Sequence, residues 1–143
     1  MHTGLKLLHS SSAYLTLAFL IIAVLYCGYC WLSSKEFSKT NKIIALVALI
    51  FSHLQLLLGL ILYFVSPMGM SNFSGASMKD SMSRLYILEH PLTMIIALVL
   101  ITIGYSKSKR KMIPEDKNKM IAVFYLIGLI LIASRIPWSV WPA

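Results

Sequence analysis

Four unbroken apolar runs constrain this chain more than anything else in it: Ser10 to Ser33, Ile43 to Val65, Leu85 to Tyr105 and Met120 to Trp141. Each is close to the roughly 20 residues a helix needs to cross the hydrocarbon core of a bilayer. Backbone groups find no water there, so a span must satisfy them internally, as a helix does. Only 13% of the residues are charged, against about a quarter in soluble domains. With 143 residues in all, little chain is left for a separate soluble domain. The runs predict an all-α fold in a single domain, 1–143, with transmembrane helices over about 10–33, 43–65, 85–105 and 119–141. The second and fourth runs follow their predecessors after short links, so consecutive helices are antiparallel and the bundle runs up-down-up-down.

The formal charge of +8 would suit nucleic acid, but the basic residues stand in short loops between spans, where the bilayer itself accounts for them. Lys35, Lys39, Lys42, Lys107, Lys109, Arg110, Lys111, Lys117 and Lys119 lie on one side; Lys6, Lys79 and Arg84 lie on the other. By the positive-inside rule the first group is cytoplasmic and both termini face outward. The first run is too long for a signal-peptide core and lacks a small-residue cleavage site, so it is read as retained. Pro114, Glu115 and Asp116 mark the start of the last helix, where acidic groups suit the macrodipole.

Several features have plain readings beside sharper ones. Cys27 and Cys30 form C-G-Y-C, which in a soluble βαβ setting would suggest redox chemistry. Here they fall one turn apart on a span, and Trp31 follows where covalent haem attachment needs His, so they read as small apolar residues at a helix surface. The outer loop from Ser66 to Arg84 carries Met68, Met70, Met78 and Met82, soft donors for Cu(I) that more often simply pack at an interface. Its second half, from Ala76 to Tyr86, reads as a short interfacial helix over the bundle mouth. Trp138 and Trp141 read as belt anchors at the outer boundary and Trp31 as one at the inner boundary.

Polar and ionisable groups within spans are costly, the ionisable ones by about 2.5–3.5 kcal/mol each on insertion scales, and so point to function. This chain keeps His9, His53, Gln55, Glu89, His90 and Arg135 there. His9 and His90 lie near the outer ends of the first and third helices, and Arg135 near the outer end of the fourth, so the three converge on one layer. Neighbouring helices pack about 8–10 Å apart, too close for a porphyrin between two imidazoles, whereas the diagonal of a square bundle is roughly 12–14 Å. The first and third helices form that diagonal in an up-down-up-down bundle. Two histidines at one depth across it are what a bis-imidazole haem b requires, held without covalent attachment. Arg135 is then placed for a haem propionate, and Glu89 for Arg135 or for orienting an imidazole on another helix. Pro91 is expected to loosen the helix beside His90. His53, thirteen residues inward of Ser66 and about 20 Å along its helix, is read as standing apart from this layer. It is expected to be a satisfied interhelical histidine, or a partner for a cofactor edge, a quinone or the groups around Gln55. His2, in the tail, is assigned nothing.

At these residues the chain resembles a known type. The stretches L-K-L-L-H-S-S-S-A-Y-L, H-L-Q-L-L-L-G-L and Y-I-L-E-H-P-L-T-M-I-I-A-L are similar to a small four-helix bacterial membrane cytochrome b family, over nearly the whole chain. More distantly, Q-x-x-L-G at Gln55 to Gly59, with histidines on the first and third helices, resembles one half of the haem A synthase fold. That family joins two bundles and has a glutamate three residues before its first-helix histidine, where this chain has one bundle and Lys6. The resemblance implies haem bound by His9 and His90 near the outer face of a bacterial inner membrane. The leading functional expectation is a b-type cytochrome that transfers electrons, with a quinol or a periplasmic redox protein as partner. Two others stand beside it: a haem-modifying or haem-handling protein, and a non-haem accessory subunit of a larger membrane complex.

Overall fold

A computed structural model describes residues 2–142 of the chain. Four long helices account for most of it: α1 (His2–Leu32), α2 (Lys39–Val65), α3 (Ser81–Arg110) and α4 (Pro114–Ser134). All four are long and apolar enough to span a membrane, and no strand occurs among the described residues. The chain is a multi-pass membrane protein whose outward-facing apolar side chains meet the lipid. α1 packs against α2 and α4, and α3 packs closely against α4 and more loosely against α2. That places α1 and α3 on the diagonal.

The end opposite the termini, rich in lysine, is tied tightly. Ser34 adopts a left-handed conformation, φ 51°, and Lys35 N–H returns 2.8 Å to the Cys30 carbonyl, closing the last turn of α1. Ser38 and Asn41 form a capping box at the start of α2. Asn41 Nδ2 then donates to Asn118 Oδ1 at 2.8 Å, and Asn118 Nδ2 donates to the Lys35 carbonyl at 3.2 Å. One chain of amides thus joins α1, α2 and α4 where all three would otherwise leave polar groups buried and unpaired. The α3–α4 connection is only 111–113, because Lys107, Lys109 and Arg110 extend α3 with cations at its C-terminus and Pro114 opens α4.

Above this belt lies the core: Leu20, Ala23, Cys27, Ala45, Ala48, Ile101, Ile121 and Tyr125, whose hydroxyl donates to the Ala45 carbonyl at 2.7 Å. Cys27 and Cys30 are free and buried here rather than set at a helix surface, because α1 turns them toward α2 and α4. Small residues bring backbones together. A Cβ at Gly128 would stand 2.6 Å from Ile101 Cγ1, and Gly28 lies opposite Ala122.

Three expectations about element ends are corrected. α1 begins at His2 and α3 at Ser81, well before their apolar runs, because a helix outlasts the hydrocarbon wherever its termini find partners. The stretch after Ala76 is therefore no separate interfacial helix but a turn, Ser77–Lys79, followed by the first residues of α3. α4 stops at Ser134, not near Trp141, since Pro137 lacks the N–H that would bond to Ala133. The indole N–H of Trp138 donates to that carbonyl at 2.7 Å instead.

Candidate functional site: a polar layer between the diagonal helices

At the end that carries the termini the bundle is less tightly filled, and Ile87 is the one fully buried apolar residue of α3 there among the described residues. The cause is local to α3. Pro91 cannot donate to the Ile87 carbonyl four residues back, and the helix widens over Leu85–Glu89, with His90 N–H reaching Leu85 five residues back. Tyr63 Oη on α2 donates to the freed Ile87 carbonyl at 2.9 Å. The widened turn resets the phase of α3, so that His90 is directed into the bundle.

His9 and His90 meet across the diagonal, with ring centres 6.3 Å apart and planes at 89°. His90 Nδ1 lies 2.8 Å from the Arg135 carbonyl and must donate to it, which leaves a lone pair on Nε2. His9 is held by Gln55, whose Nε2 donates to the His9 carbonyl at 2.8 Å and lies 3.2 Å from His9 Nδ1, while its Oε1 accepts from the Ser12 hydroxyl. That arrangement makes His9 Nδ1 an acceptor and puts the ring hydrogen on Nε2. His90 therefore stands in the tautomer that binds a metal through Nε2, and His9 is one proton shift away from it.

Gln55, Gly59 and Tyr63 recur every four residues along one face of α2 and supply this layer's support. A Cβ at Gly59 would stand 2.9 Å from His9 Cε1, so glycine is what lets the imidazole lie against α2. On the other side Trp141 covers α1, 4.7 Å from Tyr14 and donating to the Ser10 carbonyl at 3.3 Å, so it is a packed residue of the layer rather than a free belt anchor.

The charges form their own group. Glu89 Oε1 lies 2.9 Å from Arg84 Nε, and Oε2 lies 3.7 Å from Arg135 Nε. The expected Glu89–Arg135 pair is present, with Arg84 as an unforeseen second cation. Arg135 itself caps α4 instead of lying within it, and it is its carbonyl that orients His90.

His53 does not fit its expected place. It is close in depth to the layer, since Gln55 two residues on touches His9, and it is direction that separates them: two residues turn a helix by about 200°. It faces outward, with Nδ1 2.9 Å from the Leu49 carbonyl of its own helix, and so bridges no helices. Two of the methionines near the α2–α3 connection, Met68 and Met82, line a pocket of about 250 Å³ with Tyr86 and Val140.

Sequence reasoning gave no site role to Ser12, Tyr63 or Arg84, and Gly59 entered it only as the end of the Q-x-x-L-G pattern. The four-residue spacing of Gln55, Gly59 and Tyr63 was the signal that could have found two of them.

Among the described residues no three His, Cys, Asp or Glu side chains gather into a metal site, so protein ligands alone do not make one. A pair suffices only for a metal that brings most of its ligands with it. Imidazole nitrogens bind such metals at about 2.0–2.1 Å with the ring centre roughly 1.1 Å behind, so two rings flanking one metal have centres about 6.3 Å apart. Edge-to-face packing of two rings spans the same range. Hydrogen-bonded Nδ1 atoms accompany either arrangement, since buried polar groups are paired. What fold and site define together is a class: a four-helix membrane bundle whose polar layer holds two facing, anchored imidazoles. No protein-family model, curated protein or solved structure matches the chain.

Proposed function

We propose that this protein is a b-type cytochrome of the bacterial inner membrane, binding one haem b non-covalently through His9 and His90 near the outer face and serving in electron transfer. The observation that carries this reading is the pair of imidazoles 6.3 Å apart, from diagonal helices, each with Nδ1 engaged. A haem bound there supplies a one-electron iron couple with no open coordination position for oxygen or substrate.

The chain's own residues do the rest. The Arg135 carbonyl fixes the His90 ring and its tautomer, a support typical of metal-binding histidines. His9 would ligate through Nε2 with its hydrogen moved to Nδ1, and the Gln55 amide would turn from the His9 carbonyl and Ser12 so that Oε1 accepts from that nitrogen. Arg84 and Arg135 share the single carboxylate of Glu89, leaving one positive charge for a propionate. Nine basic residues at the opposite end favour that end as cytoplasmic, so the layer lies in the outer half of the bilayer. There it is open to a quinol in the lipid or to a periplasmic redox protein.

The test is an absorbance spectrum of the detergent-solubilised protein expressed with ample haem. A low-spin haem b spectrum that reduces with dithionite is expected, lost in His9→Ala and in His90→Ala but largely kept in His53→Ala. Extracted pigment should have the mass of unmodified haem b. A protein that stays colourless ends this reading.

A further inference from the structure

The α2–α3 seam is the loosest of the bundle, and a groove of about 250 Å³ opens there toward the lipid. His53, Leu56, Leu98, Val99 and Thr102 line it. Every lining group is apolar except two, and the two differ in what they lack. Thr102 gives its hydroxyl hydrogen to the Leu98 carbonyl at 2.7 Å. His53 gives its Nδ1 hydrogen to the Leu49 carbonyl at 2.9 Å, which leaves Nε2 as an acceptor with no donor in the protein.

Depth makes this acceptor informative. His53 stands near the middle of Lys39–Val65, about 20 Å from either end of the helix. Phospholipid headgroups do not reach that level, and acyl chains carry no donor. An unpaired polar atom in hydrocarbon is costly, and proteins rarely keep one without use. The complementary molecule must reside in the hydrocarbon, carry an O–H and present a flat body to a groove between two helices. A dry cavity of about 150 Å³ takes a benzene ring, so this groove has room for a ring with small substituents.

We propose that the groove binds the head ring of a lipid-soluble hydroquinone, one hydroxyl donating to His53 Nε2. The inference concerns a second site, on the face of α2 opposite Gln55, and holds whether or not the polar layer carries haem.

The experiment is nitrogen NMR on histidine-labelled protein, as purified, in phospholipid nanodiscs under dithionite. The His53 signals are identified by their loss in His53→Gln. The probe is a decyl-substituted benzohydroquinone, and its dimethyl ether, of the same shape but without O–H, is the control. A saturable shift of His53 Nε2 is expected with the hydroquinone, with affinity about five-fold weaker for the ether, the worth of one neutral hydrogen bond. Val99→Trp, which fills the groove without touching the His53–Leu49 bond, should remove both. No saturable shift, equal affinity for the ether, an unchanged response in Val99→Trp, or a His53 signal that depends instead on protein concentration, as a second copy in the groove would produce, each overturns the proposal. The readout needs no haem. A colourless protein that shows the shift refutes the cytochrome reading alone, and a pigmented one without it refutes this inference alone.

Discussion

Gln55 and Gly59 fix where the His9 ring lies, although neither carries unusual chemistry. Gln55 holds the ring from the side that a metal does not use, and such partners are typically worth 10–100-fold in metal affinity. Gln55→Leu should therefore weaken haem binding by about 10–100-fold in a haem titration while leaving the helical content unchanged. At Gly59 the limit is space. Gly59→Ala puts a methyl 2.9 Å from Cε1, and the ring must shift by a few tenths of an ångström or lose its partner. Its expected effect is weaker haem binding at a cost of about 1–3 kcal/mol, the usual range for overpacking. Full wild-type affinity in Gly59→Ala would mean that His9 has slack and that the glycine is incidental. Asn118 offers a comparison at the other end. Asn118→Ala leaves Asn41 Nδ2 and the Lys35 carbonyl without their side-chain partners and should cost about 1–3 kcal/mol for each buried group stranded. It should lower thermal stability without altering the spectrum.

Two prolines shape the ends of α3 and α4, and each orphaned carbonyl has found an aromatic donor. Ile87 accepts from Tyr63, and Ala133 from Trp138. In hydrocarbon the loss of such a donor has no water to offset it. Tyr63→Phe should destabilise the protein by about 1–3 kcal/mol, and Pro91→Ala, which restores a backbone N–H four residues from Ile87, should recover part of that loss in the double variant. Additive effects in that cycle would show that the two donors do not serve the same carbonyl. The start of α3 responds to pH through Asp80, whose carboxylate accepts from Ser83 N–H at 2.9 Å and whose pKa is lowered by that bond. A lowered folded-state value means the cap contributes above the ordinary aspartate range and is lost as pH falls through the folded value. Amide exchange at the first turn of α3 should accelerate in acid, and Asp80→Asn should flatten that dependence.

Across the whole bundle, packing is uneven in a way that separates stability from chemistry. The basic end and the middle are closely packed, built on Gly28, Gly104 and Gly128, whereas the terminal end is polar and the α2–α3 seam is open. Gly128→Val should lower the melting temperature in detergent through a clash with Ile101, at about 1–3 kcal/mol, with little change in any pigment. Substitutions in the polar layer should show the reverse pattern. A layer whose residues come from all four helices is also one whose assembly needs the complete bundle, so separately expressed halves are not expected to bind haem unless they recombine.

The common depth of His9, His90 and Arg135 was legible in the sequence, whereas the depth of His53 and the direction each span faces were not. The four spans, their antiparallel order, the diagonal pairing of α1 and α3 and the common level of His9, His90 and Arg135 follow from run length, short links and a fixed rise per residue, all of which are linear along the chain. Rotation about each axis is different. A span that is apolar all round carries no polar stripe to say which side faces its neighbours, so the separation of Gln55 from His53 depended on how four nearly featureless surfaces packed. The same holds for Cys27 and Cys30, which turned inward, and for Arg135, whose carbonyl rather than its charge reaches His90. Those choices rest on close approach at a few glycines and on carbonyls left unpaired by Pro91 and Pro137, which only the assembled bundle could satisfy.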